Sequence, residues 1–204
     1  VLNAKDGSER FSKLLGDGDN ISGLLVTDLN NDGISEIIVG NGAEHTGSEG
    51  AFFTVLSGLN GDVLKQSPSL GFHWQGLTDL HAVIHQDGSS VYGLLGNNLY
   101  QYNYSNNTVQ QLTNNAQYLQ LTAVLAGGES QLVAGDNNGN LLVLSTNGDV
   151  TSSSQVCQSQ ITGLSSSVAD TVLYSCGDNF GEFNLATNSS NFAKTAGFNT
   201  AGDP

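Results

Sequence analysis

Positive charge is nearly missing from this chain: five Lys and Arg stand against nineteen Asp and Glu, a formal net charge of -14 at pH 7. Such a surface repels phosphate backbones and anionic lipid headgroups, so nucleic acid is excluded as a partner, while cations and neutral ligands such as glycans remain. Methionine is absent. With Val1 as first residue, that predicts a processed or excised piece of a longer precursor. No apolar run reaches the roughly eighteen residues a spanning helix needs, so membrane insertion is not expected, and no signal-peptide pattern is seen. Also missing are a Gly-x-Ser-x-Gly elbow, a phosphate loop and a thiolate beside a histidine, and the chain is read as a non-enzyme.

Lys, Arg, Glu and Met, which favour helices, are few, whereas Gly (26 of 204), Asn, Ser and Thr abound. Many short strands joined by turns follow, hence an all-β fold, and the length suits a single domain over residues 1–204. Only two cysteines occur. Cys157 and Cys176 are either buried thiols or a disulfide, and a bridge would close a loop worth about 3 kcal/mol.

The segment TDLNNDGISEIIVGNGAEH, residues 27–45, carries the strongest local signal. Asp28, Asn30 and Asp32 alternate, Gly33 follows, and Glu36 stands at the ninth position. A hard divalent cation takes six to eight oxygens at about 2.3–2.6 Å, and alternating short carboxylate and amide side chains supply them when the backbone curls around the ion. An EF-hand begins in the same way but closes with a Glu at position twelve, where this chain has Val39 at the end of the apolar run Ile37-Ile38-Val39. The plain alternative is an Asn/Asp-rich turn that binds nothing.

These residues resemble the FG-GAP or VCBS type of repeat of integrin-like β-propellers, in which a D-x-[DN]-x-D-G-x-x-[DE] loop joins the two inner strands of a blade. The resemblance implies calcium as cofactor, held by Asp28, Asn30, Asp32, Glu36 and the peptide carbonyl of Ile34. Its specific motif occurs once: Val83, Ala123 and Ser165 to Ser167 stand where the other blades would carry aspartates. With the calcium loop and the lysine-poor surface, a secreted or cell-surface protein with a Cys157–Cys176 bridge is expected.

A repeat underlies the composition. GISEIIVGNG, SSVYGLLGNN, ESQLVAGDNN and DTVLYSCGDN each close on Gly followed by Asn or Asp, and a third strand follows each of them. The turn ending that third strand recurs at Gly61, Asn107, Gly148 and Ser190, a period of about 40 to 46 residues, the length of a four-stranded propeller blade. The expected architecture is therefore a β-propeller, or a large part of one, of four-stranded antiparallel blades at residues 17–70, 71–115, 116–157 and 158–204. An N-terminal half-blade at 1–16 supplies two outer strands without inner partners. In the first blade the strands are expected at 21–29, 35–40, 51–57 and 63–66. Residues 136–150 also have some quinoprotein-like repeat character.

In a propeller the first-to-second and third-to-fourth strand turns share one rim, which places the calcium loop away from the rim that usually takes ligands. On that opposite rim the candidates are Glu44, His45, His73, Trp74, Asp136 and Asp178. Trp74 after Phe72-His73 has the look of a sugar-stacking platform, but a core ring between blades is the better reading. Asp136 to Asn140 alternates oxygens like a second calcium loop, but Leu144 stands at the ninth position and a hairpin turn is the better reading. His81 and His85 share a strand face, with no third metal ligand near. The function expected is a calcium-stabilised extracellular binding or adhesion module with a protein or glycan ligand. The alternatives are a structural subunit assembling through the open N-terminal half-blade, whose bare edge invites pairing, and a fragment of a propeller lyase or quinoprotein.

Overall fold

The computed structural model describes residues 1–15, 20–42, 50–71, 74, 76–83, 89–166, 168–177 and 179–194. All regular structure among them is β, in four separate four-stranded antiparallel sheets, each a simple meander in chain order. Contacts group the chain into two compact units, Val1–Ala116 and Gln117–Pro204.

In the first unit, sheet one comprises β1 (Asn20–Thr27), β2 (Glu36–Gly42), β3 (Phe52–Ser57) and β4 (Val63–Gln66). Sheet two comprises β5 (Thr78–Val83), β6 (Ser90–Leu95), β7 (Asn98–Asn103) and β8 (Thr108–Gln111). The central strands β2 and β6 are buried along their whole length, whereas β4 and β8 are mostly exposed. Polar side chains blunt the unpaired hydrogen-bonding groups of β8, while β4 leaves Val63 and Leu64 in solvent. The turn between β6 and β7 has two residues, Gly96 and Asn97, both at positive φ, the primed geometry whose twist matches a tight hairpin.

The two sheets pack through Ile38, Phe53, Val55, Leu77, Leu80, Val91 and Tyr102. Phe53 and Tyr102 stack with centroids 5.5 Å apart, worth about 0.5–1.5 kcal/mol beyond the area they bury. Leu77, just before β5, sits in a seat made by two glycines. A Cβ on Gly40 would lie 2.7 Å from the Leu77 carbonyl oxygen and 2.8 Å from its Cβ, and one on Gly23 2.7 Å from the same oxygen. The Ser22 hydroxyl donates to that oxygen at 2.8 Å and closes the seat.

The second unit repeats the plan. Sheet three is β9 (Tyr118–Ala126), β10 (Glu129–Asp136), β11 (Asn140–Leu144) and β12 (Val150–Gln155). Sheet four is β13 (Ile161–Ser166), β14 (Thr171–Cys176), β15 (Asn179–Asn184) and β16 (Ser189–Lys194). Val124, Val133, Leu141 and Val143 face Ile161, Val172, Tyr174 and Phe183. Ile161 lies over Gly135 as Leu77 lies over Gly40.

The two strands expected over residues 1–16 take a reduced form. Residues 1–15 contain a hairpin with one isolated bridge, Leu2 to Glu9, closed by Asn3 N–H to Ser8 O and Arg10 N–H to Val1 O. Among the described residues no third strand pairs with this ribbon, and two strands alone gain too little to extend their ladder. Phe11 and Leu15 nevertheless pack on Ile37, Val39 and Leu56, the face of sheet one turned away from sheet two.

Candidate functional site

The loop between β1 and β2 is wound by its own polar side chains. Asn31 and Gly33 take positive φ (59° and 86°), which lets the chain curl back. Asp28 accepts from Asp32 N–H at 3.2 Å and Gly33 N–H at 2.8 Å. Asn30 Oδ1 accepts from Asp32 N–H at 2.9 Å, and Asp32 Oδ1 accepts from Ile34 N–H at 2.8 Å. Gly58 lies so close to the Ser35 carbonyl that no Cβ fits, which puts the loop beside the β3–β4 turn.

Glu36 opens β2 and is buried, 2 % exposed. Its carboxylate accepts from Leu29 N–H at 2.8 Å and from the Asn30 amide at 3.4 Å. Burial pushes its pKa above the usual carboxylate range; the Leu29 bond pulls it down, and the nearby Asp32 and Asp28 charges add to the rise. The donors are all hard oxygens in the order a calcium loop uses, and in that chemical sense they fit the ion. Among the described residues, however, no three His, Cys, Asp or Glu side chains are grouped so as to hold a metal by themselves. A cation here therefore needs the Asn30 amide and Ile34 carbonyl oxygens as well as the carboxylates.

Sequence reasoning missed how sheet two supports this loop. Ser89 Oγ donates to Leu29 O at 2.6 Å across a separation of 60 residues. The Tyr104 phenol, from the β7–β8 turn, lies beside Asn30, Glu36 and Asp32, and burial followed by the Glu36 charge raises its pKa. Lys65 sits 4.3 Å over the Tyr104 ring and donates to the Tyr104 and Ser105 carbonyls. No local pattern marks Ser89, Tyr104 or Lys65, since their role exists only once the sheets stack.

The residues expected on the other rim are not brought together as one described site. Glu44, His45, His73 and Asp178, with Phe72 and His85, lie outside the described residues. Trp74 is 52 % exposed, so the reading of this ring as core between blades fails. Asp136 is buried at the end of β10 with both oxygens engaged in its own turn, Oδ1 by Asn138 N–H at 2.9 Å and Asn140 N–H at 2.8 Å, Oδ2 by the Asn140 amide at 2.7 Å. That is the bonding of a hairpin turn.

Cys157, just after β12, and Cys176, ending β14, form a disulfide with Cα atoms 6.5 Å apart, and it ties sheets three and four together. Val156 and Cys157 N–H both donate to Gly139 O, which holds this corner beside the β10–β11 turn.

Four-stranded antiparallel sheets are also found in β-propeller-like solved structures that this chain resembles. A chain of the mitotic checkpoint complex aligns with a TM-score of 0.62 at 11 % identity, over 96 % of this chain and 57 % of that one. The fold is β-propeller-like. BBS1N, solved in complex with ARL6DN, aligns with a TM-score of 0.57 at 14 % identity, over 86 % of this chain and 54 % of its own. The computationally designed Ika4 protein aligns at 0.55 and 17 % identity, over 92 % of this chain and 98 % of its own. The four sheets are thus blades, and the chain spans a little over half of the mitotic checkpoint chain and of BBS1N. No family model and no curated protein matches the sequence.

Proposed function

We propose that the chain is a calcium-stabilised extracellular binding or adhesion module built of propeller blades, the first of them of the FG-GAP or VCBS type. The observation that carries this reading is the buried Glu36 carboxylate, whose charged neighbours Asp28 and Asp32 are acidic. A buried carboxylate among like charges is costly unless it is protonated or a cation joins it. Asp28, Asn30, Asp32, Glu36 and the Ile34 carbonyl would hold calcium, which supplies the missing positive charge. Leu29 and Tyr104 then join the occupied loop to the second blade, so the ion acts as a staple between blades and not as a reaction centre.

The Cys157–Cys176 bridge supports an oxidising, extracellular location, where free calcium is also plentiful. The half-exposed Trp74 ring supports a protein or glycan ligand away from the calcium loop, because an exposed indole offers a stacking face.

Calorimetric titration and thermal melting test the reading. Extracellular modules bind calcium with dissociation constants of about 10⁻⁴ to 10⁻³ M, so the titration runs into the millimolar range. Calcium at ten times the dissociation constant should stabilise the native state by about 1.4 kcal/mol, and chelation should remove that gain. Asp32→Ala should abolish the shift. No binding heat at millimolar calcium, or an equal shift in Asp32→Ala, sinks the proposal.

A further inference from the structure

The face of sheet four turned away from sheet three is built like a filled one but is exposed. Registers make the equivalence explicit. In the first blade Gly23 pairs with Gly40 just after a bulge, and Gly40 pairs with Phe53. In the last blade Gly163 pairs with Ser175 just after the same bulge, and Ser175 pairs with Phe180. Thr162 stands where Ser22 does, and Leu173 and Glu182 stand where Ile38 and Val55 do. In the first blade this seat holds Leu77, and Phe53 is completely buried. In the last blade it is a groove of about 660 Å³ lined by Gly163, Leu173, Ser175, Phe180 and Glu182, with Phe180 47 % exposed.

The departures from the filled seat describe the occupant. Glu182 in place of Val55 puts a carboxylate into the groove, and Ser175 in place of Gly40 makes the seat shallower. The apolar face of a regular blade would bury that charge unpaired, at high cost. An element with a few aliphatic side chains and cations beside them fits.

One segment of this chain has that chemistry. Residues 1–15 hold Lys5, Arg10 and Lys13, three of the five basic residues in a chain of net charge -14, so that even with Asp6 and Glu9 the side chains of this segment carry a net positive charge. Phe11 and Leu15 turn toward the first blade, while Val1 (48 %), Leu2 (66 %) and Leu14 (87 %) are exposed. We propose that the groove on the last blade receives the N-terminal hairpin of a second copy of this chain, with Leu2 and Leu14 against Phe180 and Leu173 and the basic residues around Glu182. The contact is heterologous: one copy's groove takes the other's hairpin, so two such contacts close a dimer, or the series runs on into a chain. It uses none of the calcium-loop residues, so either reading can fail without the other.

Sedimentation equilibrium of the full chain is the test. The wild type should associate with rising concentration, and more weakly at high salt, because the ion pairs at the rim are screened. Phe180→Asp breaks the groove and Leu14→Asp breaks the hairpin, each at an exposed position, so the melting temperature should hold while the dissociation constant rises about thirtyfold or more. Each variant alone should be monomeric. Mixed, they should recover a one-to-one pair, since one intact groove and one intact hairpin remain. Glu182→Lys should weaken association, and combining it with Lys13→Glu should recover part of the loss. A wild type that stays monomeric up to its solubility limit overturns the proposal, as do variants that associate unchanged or a mixture that forms no pair.

Discussion

Replacing Gly135 with Ala probes how closely the third and fourth blades approach. A Cβ added there would lie 2.5 Å from Ile161 Cγ2, 2.7 Å from its Cβ and 3.0 Å from Cγ1. Normal carbon contacts are about 3.5–4.0 Å, so the two strands must separate by roughly 1 Å or Ile161 must leave its seat. Overpacking of this kind costs about 1–3 kcal/mol. Ala also restricts the unfolded chain and returns about 0.4–1 kcal/mol, because Gly135 does not need positive φ. The net expectation is a loss of about 1–2 kcal/mol, read from the urea midpoint at constant slope with the disulfide intact. Ile161→Ala alone should cost about 2–5 kcal/mol, since Ile161 is fully buried. In that background two of the three crowding atoms are gone, and Gly135→Ala should cost less than it does alone. Strict additivity of the two changes, or a Gly135→Ala protein as stable as the wild type, would refute the reasoning that the glycine exists to seat Ile161.

Reducing the Cys157–Cys176 bridge should destabilise the second unit by about 3 kcal/mol, measured by unfolding with and without reductant; two reactive thiols in the unreduced, denatured protein would remove the bridge from the account. At high pH, Tyr102 sets a limit. Burial pushes its phenol up to about 12, with a smaller contribution from Tyr104, against about 10 in the unfolded chain. A folded pKa above the unfolded one means that the stabilisation is complete below pH 10 and is lost as the pH rises through 12. Tyr102→Phe should move the alkaline unfolding midpoint upward, although losing the bond to Asn107 Oδ1 costs about 1 kcal/mol at neutral pH; an unchanged alkaline midpoint would contradict this.

Several features were legible in the residues themselves because their causes are local. Gly-Asn and Asn-Gly turns and a recurring spacing placed the second and third strands of all four blades, and an expected first blade at 21–29, 35–40, 51–57 and 63–66 became strands at 20–27, 36–42, 52–57 and 63–66. The β1–β2 loop was equally legible, since Asp28, Asn30, Asp32 and Gly33 shape the backbone within a few residues of themselves. Even the seat on the last blade left a trace, in the recurrence of Ile21-Ser22-Gly23-Leu24 as Ile161-Thr162-Gly163-Leu164.

Tertiary structure decided what period and turn chemistry do not encode, namely which side chains from distant strands meet. Leu77 in the seat of Gly23 and Gly40, Ser89 and Tyr104 against the β1–β2 loop, and Phe11 on Ile37 are contacts between segments far apart in sequence. A two-residue alternation says that a strand has two faces but not which neighbour covers each. That is why Phe53 and Phe180, alike in register, end up fully buried and half-exposed respectively. Trp74 shows the same limit from the other side: the indole suited either a core or a surface, and it stands half in solvent.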